Sequence, residues 1–369
     1  MRIFYCLSAY ISHRLAGLEY MACLRALGHE VSCNYPELPE RGLVRLETND
    51  ERPSLAFLAD EVLAEKAAQA DLFILHEEPY CYDDLFEALP VLRQRPPVAY
   101  LPWENEDLPA SWRGPLSRVA RIWTCSDFSR RAFLQAHARV EVLPHVVRRP
   151  KAAPAALAWG KDLLRQRGAE GATLFFSVMD GLNPRKNLPA LLAAFRLLRR
   201  ESPAPARLVV KQYRAALPLD GYADVINIAD MLDEGQMAAL HALSHAYVSP
   251  HHAEGWGLSL AAAMSLGKTV IATGYSGNME FMHNRNSLLL PYRMAPVSSE
   301  MTDKIPLFSP AMLWAEPDLP ALVQAMRRVA EGKISPGLKQ EAALITERFG
   351  PDKIRLRLKE LLEQAVRQT

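Results

Sequence analysis

Glu254, Gly255, Trp256 and Gly257 lie in the run HHAEGWGLSLAAAMSLGKTVIATGYSGNMEF (251–281), where a short apolar strand, YVSP, enters a glycine-rich turn and an Ala-rich helix follows at once. Glycines at a strand-to-helix turn let backbone N–H groups approach a ligand closely, and the helix N-terminus favours negative charge. The combination suits a diphosphate, with Glu254 at the rim accepting hydrogen bonds from sugar hydroxyls; the same residues also read as a tight turn holding nothing. Two commoner phosphate motifs fail. GxGxxG needs a glycine where Leu260 stands; Gly267-Lys268-Thr269 has Ala262 in place of the earlier P-loop glycine and follows a helix instead of preceding one. Arg185-Lys186, after Asn183-Pro184, falls between a strand and a helix, which aims two cations at the sheet edge where α/β proteins bind ligands. A solvated helix start would use the same two residues.

The first third of the chain offers softer signals. YLPWENEDLPASW (100–112) ends a strand with Trp103, Glu104, Glu106 and Trp112, a mixture of carboxylates and aromatic faces suited to sugars, and equally an exposed acidic loop over two core tryptophans. An early loop carries Ser12, His13 and Gly17, and His145 in LPHVV either faces a ligand or is structural. The five cysteines, Cys6, Cys23, Cys33, Cys81 and Cys125, lack CxxC or metal-ligand spacing and read as reduced thiols.

The elements that must position these residues alternate. Met1–Leu7 is an apolar β-prone run, followed by a loop and a helical pattern that ends at Gly28. Strands are expected at 71–78, 97–103, 120–126 and 140–147, with helices at 83–94 and 128–138. Residues 148–171 carry Pro, Ala and charge, as a domain connection would. The pattern then restarts: TLFFSVMD (173–180), NLPALLAAFRLLRR, ARLVVKQY, VINIAD, EGQMAALHALSHA, YVSP, LSLAAAMSLG and TVIAT alternate strand and helix. Short apolar strands alternating with helices imply parallel sheets covered on both faces, hence an α/β chain of two doubly wound, Rossmann-like domains with a ligand cleft between them. The expected division is 1–155 and 156–369. The closing PDKIRLRLKELLEQAVRQT reads as an amphipathic helix with Ile354, Leu356, Leu358, Leu361 and Leu362 on its apolar side, able to pack back on the N-terminal domain.

The segment 254–262 resembles the EGFGLxxxE pattern of retaining glycosyltransferases of the GT-B fold, glycosyltransferase family 4. DGLNPRKNLPALLAAF is similar to that family's phosphate-binding turn, LDEGQMAALHALSHAYVSP to the helix and strand before its glutamate, and SGNMEF, with Gly277 and Asn278, to its following glycine-rich turn. CSDFSRRAF and VLPHVV resemble its late N-domain landmarks. The resemblance implies a nucleotide-sugar donor held by the second domain. Glu254 would contact the donor sugar, the backbone around Gly255, Trp256, Gly257, Leu258 and Ser259 would cradle sugar and diphosphate beside Asn183, and Arg185 and Lys186 would neutralise the leaving group. The acceptor, a glycan or lipid-linked molecule, would sit on the first domain near His13, Trp103, Glu104 and His145. No metal or other cofactor is expected, since the cations make one redundant and no DxD cluster stands in a suitable position. The resemblance further implies front-face transfer with retention, since no carboxylate pair for double displacement stands out. A hexose donor, mannose by the flavour of SGNMEF and RKN, is the first expectation.

Two departures qualify the resemblance. Ala262 occupies the place of the second glutamate, which usually bonds the nucleotide ribose, so a catalytically impaired binding or scaffold protein is the alternative. Asp180-Gly181 stands where the family's first arginine is usual. A sugar phosphorylase or a nucleotide-sugar epimerase is a third reading. Composition excludes other classes: Lys+Arg of 43 against Asp+Glu of 42 leaves a net charge of +1, no field for nucleic acid. No run approaches the ~18 apolar residues of a membrane span. A cytoplasmic protein is expected, with peripheral contact at the inner membrane face left open by Arg113, Arg118, Arg121, Arg130 and Arg131.

Overall fold

The computed structural model describes residues 1–35, 53–214 and 217–367. Contacts divide them into two units, one of Met1–Val146 together with Phe349–Thr369 and one of Val147–Arg348. Against the expected division after residue 155, the second unit thus begins earlier, and the last helix is counted with the first.

In the first unit, β1 (Arg2–Leu7), β2 (Glu30–Cys33), β3 (Leu72–His76), β4 (Val98–Tyr100), β5 (Arg121–Thr124) and β6 (Val140–Val142) form a six-stranded parallel sheet in the order β2-β1-β3-β4-β5-β6. Every residue of β3 and all but Arg2 of β1 are buried, as the unbroken apolar runs require of a sheet covered on both faces. The helix Ile11–Ala26 starts within four residues of β1, nearer than the expected loop, and Gly17 lets it lie against the strands: a Cβ there would meet Leu7 Cδ1 at 2.3 Å. The helix expected at 83–94 is two pieces, Tyr82–Ala88 and Val91–Gln94, because Pro90 cannot continue the first.

The last helix, Pro351–Val366, packs on Ile11–Ala26, and Arg357 Nε donates to Val142 O at 3.1 Å. Ile354, Leu358, Leu361, Leu362 and Ala365 are its buried stripe. Leu356, expected there, is 58% exposed, since a two-residue offset from both Ile354 and Leu358 turns it to the opposite side. Arg121 is likewise no part of a basic surface: it is buried, paired with Glu141 at 3.1 Å and bonded to Gln364 O. Arg118 pairs with Asp83, Arg130 and Arg131 pair with Asp127, and Arg113 bonds Gln135 O. All five cysteines are buried thiols outside any disulfide.

The second unit repeats the plan with β7 (Thr173–Asp180), β8 (Ala206–Tyr213), β9 (Val225–Ile228), β10 (Ala246–Ser249), β11 (Thr269–Thr273) and β12 (Leu288–Leu290) in the order β12-β11-β10-β7-β8-β9. All its pairings are parallel. Helices Leu188–Glu201 and Leu319–Ala330 close one face of the core, where Leu191, Phe195, Leu322 and Met326 meet Val210 and Ile271. Residues 148–171, expected as a connection, instead hold a helix, Pro154–Gln166, packed on Glu234–Leu243; Gly160 permits the close approach, since a Cβ would meet Leu243 Cδ1 at 2.7 Å. The sequence reading also passed over the antiparallel pair β13 (Tyr292–Pro296) and β14 (Leu313–Pro317) with the short helix Ser299–Lys304 between them. Among the described residues no helix is long and apolar enough to cross a membrane.

Candidate functional site

The order of the second sheet reverses at β7 and β10: from β7 the chain moves out to β8 and β9, then returns to β10 and leaves the other way to β11 and β12. Ligands in doubly wound folds bind beyond the carboxyl ends of the strands at such a switch point. Arg185 and Lys186 follow β7, and Glu254 follows β10.

After β7 the chain makes a short 3₁₀ turn, Pro184–Lys186. Asn183 caps it, its side chain accepting from Arg185 N at 3.2 Å, and Asn187, left-handed at φ 57°, caps the next helix through Ala190 N. Lys186 Nζ lies 2.5 Å from Glu254 Oε1, and Arg185 Nη1 lies 3.3 Å from Glu254 Oε2 while also donating to Ala253 O. Arg185 and Glu254 are buried; the Lys186 side chain is one-quarter exposed. Burial alone pushes the Glu254 carboxyl up, but Lys186 and Arg185 outweigh it and hold the group at about 2. Glu254 is therefore an ionised, acceptor-only group at neutral pH.

The glycine-rich turn is fixed from behind. Ser276 Oγ accepts from Glu254 N at 2.7 Å, and Gly277 N donates to Glu254 O at 2.8 Å. A Cβ on Gly277 would lie 1.8 Å from Gly255 O, so only glycine admits this approach. Asn278 accepts from His251 Nε2 at 3.1 Å and donates to Thr273 O, and Ser249 Oγ lies 3.0 Å from His251 Nδ1. Burial lowers His251 to about 4, keeping it neutral inside this network. Gly257, at φ 99°, turns the chain into the helix Leu258–Ser265, whose N-terminus has no side-chain cap and no acidic residue in its first turn. Its first amides are thus left without a side-chain cap. Leu258, Ser259 and Ala262 are all half-buried, and Ala262 stands four and three residues after the other two, so it neighbours both on the helix surface. Ser259 is hydrogen-bonded to Tyr247, and Trp256 packs against Phe281 with ring centroids 4.8 Å apart.

The expected residues of the second unit, Asn183, Arg185, Lys186, Glu254, Gly255, Gly257, Gly277 and Asn278, thus follow the ends of three neighbouring strands, β7, β10 and β11. Those of the first unit divide. His13 stacks on His76, ring centroids 5.5 Å apart, and His145 Nδ1 lies 3.0 and 3.2 Å from the Tyr20 and Tyr100 hydroxyls. Burial lowers His13 to about 4 and His145 to about 3, and drives His76 well below its usual range. Trp103 belongs to the core: it is 2% exposed, packs at a tilt against Trp112 with centroids 4.7 Å apart and donates Nε1–H to Asp107 O, which leaves its ring no open face for a sugar. Glu104 beside it is half-buried. Sequence reasoning missed His251, Ser276 and the ion pair between Arg214 and Asp180, whose Nε–Oδ1 distance is 3.0 Å. The HH doublet beside the motif was the available signal for His251. Among the described residues no three His, Cys, Asp or Glu side chains gather as metal ligands.

Residues 172–305 match the family model of glycosyl transferases group 1. No curated protein matches the chain. Among solved structures, HepE of Anabaena in complex with UDP and glucose is 17% identical over 98% of this chain and 99% of that one, with a TM-score of 0.66. A glycosyltransferase from Rickettsia africae is 13% identical, covering 100% and 99%, at 0.69. Sucrose-phosphate synthase from Thermosynechococcus elongatus is 14% identical, covering both chains fully, at 0.66. Full-length superposition at such low identity speaks for the fold, the family model for residues around the site. The chain has the GT-B fold of two Rossmann-like domains, and its second unit carries a group 1 glycosyltransferase domain.

Proposed function

We propose that this protein moves a hexose from a nucleoside-diphosphate sugar to a glycan or lipid-linked acceptor, retaining the anomeric configuration and using no metal. The observation that carries this is the meeting of Arg185, Lys186 and Glu254 at the switch point, beside an uncapped helix N-terminus. Two cations against one carboxylate leave a net positive charge where a leaving diphosphate would develop its negative charge, and fixed donors at that place stabilise the transition state without reorganising. Glu254, held at about 2, is too weak a base to take the acceptor's proton and carries none to give. That agrees with a front-face reaction in which the departing phosphate oxygen accepts the proton, while Glu254 accepts hydrogen bonds from sugar hydroxyls. HepE, crystallised with UDP and glucose, favours UDP-glucose as donor; GDP-mannose is the second choice.

The deciding experiment incubates the protein with UDP-, GDP- and dTDP-hexoses and an acceptor panel, and follows the product anomer by NMR. Transfer with inversion overturns the front-face account. Binding without transfer from any donor supports the second reading, a binding or scaffold protein, which Ala262 motivates because it removes the carboxylate the resemblance places on the ribose.

A further inference from the structure

Between β12 and the helix Leu319–Ala330 the chain makes an excursion, β13, Ser299–Lys304 and β14, which lies outside the sheet and which the proposed function does not use. It packs against the site at two places. The helix Ser299–Lys304 contacts the Pro184–Lys186 turn. The hairpin holds His252, two residues before Glu254: the Trp314 indole stacks on the imidazole with centroids 3.9 Å apart and planes 10° from parallel, His252 Nδ1 donates to Ala315 O at 2.8 Å, and Ala315 N donates to His252 O at 3.1 Å. His252 N in turn donates to Arg185 O at 2.9 Å. His252 is thus bonded on one side to the hairpin and on the other to the backbone of the cation turn. Trp314 and Ala315 are buried, whereas Met294 and Leu313 point outward. Burial lowers His252 to about 4, which suits a neutral ring near the Arg185 guanidinium.

We propose that Trp314 and His252 are positioning residues for the donor: the β13–β14 hairpin clamps His252, and His252 holds the Arg185 turn and the approach to Glu254 in one register. The inference rests on the donor-site reading above. Neither residue touches the diphosphate; they act by fixing the groups that do. Misplacement of such groups by the order of 1 Å is enough to cost about a hundredfold.

The test uses the full chain, with titration calorimetry against UDP, GDP and dTDP, donor and acceptor KM, and melting temperature for each variant. Trp314→Ala is expected to weaken nucleoside-diphosphate binding and raise donor KM by about ten- to a hundredfold, with acceptor KM unchanged. Trp314→Phe, which keeps a stacking ring, is expected to restore most of the loss, and Met294→Ala on the outer face of the same hairpin to change nothing. If Trp314→Ala does not fold, His252→Asn carries the test, because Asn retains a donor for Ala315 O and loses only the stack. Parent-like binding in the folded variants, or equal increases in donor and acceptor KM that follow the fall in melting temperature, overturns the positioning role. A parent that binds none of the three nucleotides overturns the donor site itself, and the inference with it.

Discussion

On the proposed reading, a donor diphosphate competes with Glu254 for Lys186, whose Nζ is 2.5 Å from the carboxylate. If the amine serves the leaving group as proposed, Lys186→Ala should lower donor kcat/KM by about 10²–10³. Steady-state kinetics with saturating acceptor measures this, and an unchanged value would remove Lys186 from the reaction. Ala262 gives a prediction of opposite sign. It neighbours half-buried Leu258 and Ser259 on the helix surface, so Ala262→Glu places a carboxylate beside the expected ribose. A charge-assisted hydrogen bond contributes roughly 1.5–3 kcal/mol, and nucleotide affinity should rise by one to two decades. Titration calorimetry of the variant against its parent decides it.

The same residues set a pH dependence. Glu254 has its folded-state value depressed from 4.5 to about 2, so its contribution to stability is full above 4.5 and is lost as pH falls through about 2. His251 and His252 are depressed from 6.5 to about 4, so their contribution is full above 6.5 and is lost as pH falls through about 4. Urea unfolding should therefore show stability declining first on the histidines and only afterwards on the carboxylate. Glu254→Gln should shrink the second decline and keep the first.

At the scale of elements, the two glycine-rich turns are pressed together so closely that they behave as one part. Gly277→Ala drives a Cβ into backbone atoms of Gly255 and Glu254, which cannot swing aside as a side chain would. Overpacking of this kind typically costs about 1–3 kcal/mol, and here the strain falls on the donor turn. The variant should melt lower and bind nucleotide more weakly, as thermal shift with and without UDP would read. The strands were legible in the sequence where the apolar runs were unbroken: TLFFSVMD and ARLVVKQY fall on β7 and β8 to the residue. The cation turn was legible too, because a strand, Asn-Pro and a helix leave little freedom for what lies between. Elements whose form depends on distant partners were less so. Pro154–Gln166 is rich in Ala and charge, and becomes a recognisable helix only against Glu234–Leu243. The β13–β14 pair has an exposed strand with no alternating pattern, and nothing local reveals that Trp314 will cover His252. Trp103 misled for a related reason: an aromatic beside a carboxylate has the composition of a sugar platform, yet it packs on Trp112 inside the core.

At the scale of the whole molecule, the first unit is built from two stretches far apart in sequence, residues 1–146 and 349–369. Ile354, Leu358, Leu361 and Leu362 are buried, and full burial of such a side chain contributes about 1.5–3 kcal/mol. Four of them together rival the entire stability of an ordinary domain, ~5–15 kcal/mol. Deleting residues 349–369 should therefore unfold the first unit while the group 1 domain persists, visible as proteolysis confined to residues before 147.

That same arrangement sets an order of assembly. On a ribosome the six strands of the first sheet emerge early, but the helix that seals them is made only after the whole group 1 domain has been synthesised. Domains fold as units once their residues are available. The domain that begins second can accordingly finish first, leaving the earlier sheet waiting with an uncovered apolar flank until residues 351–366 have been made.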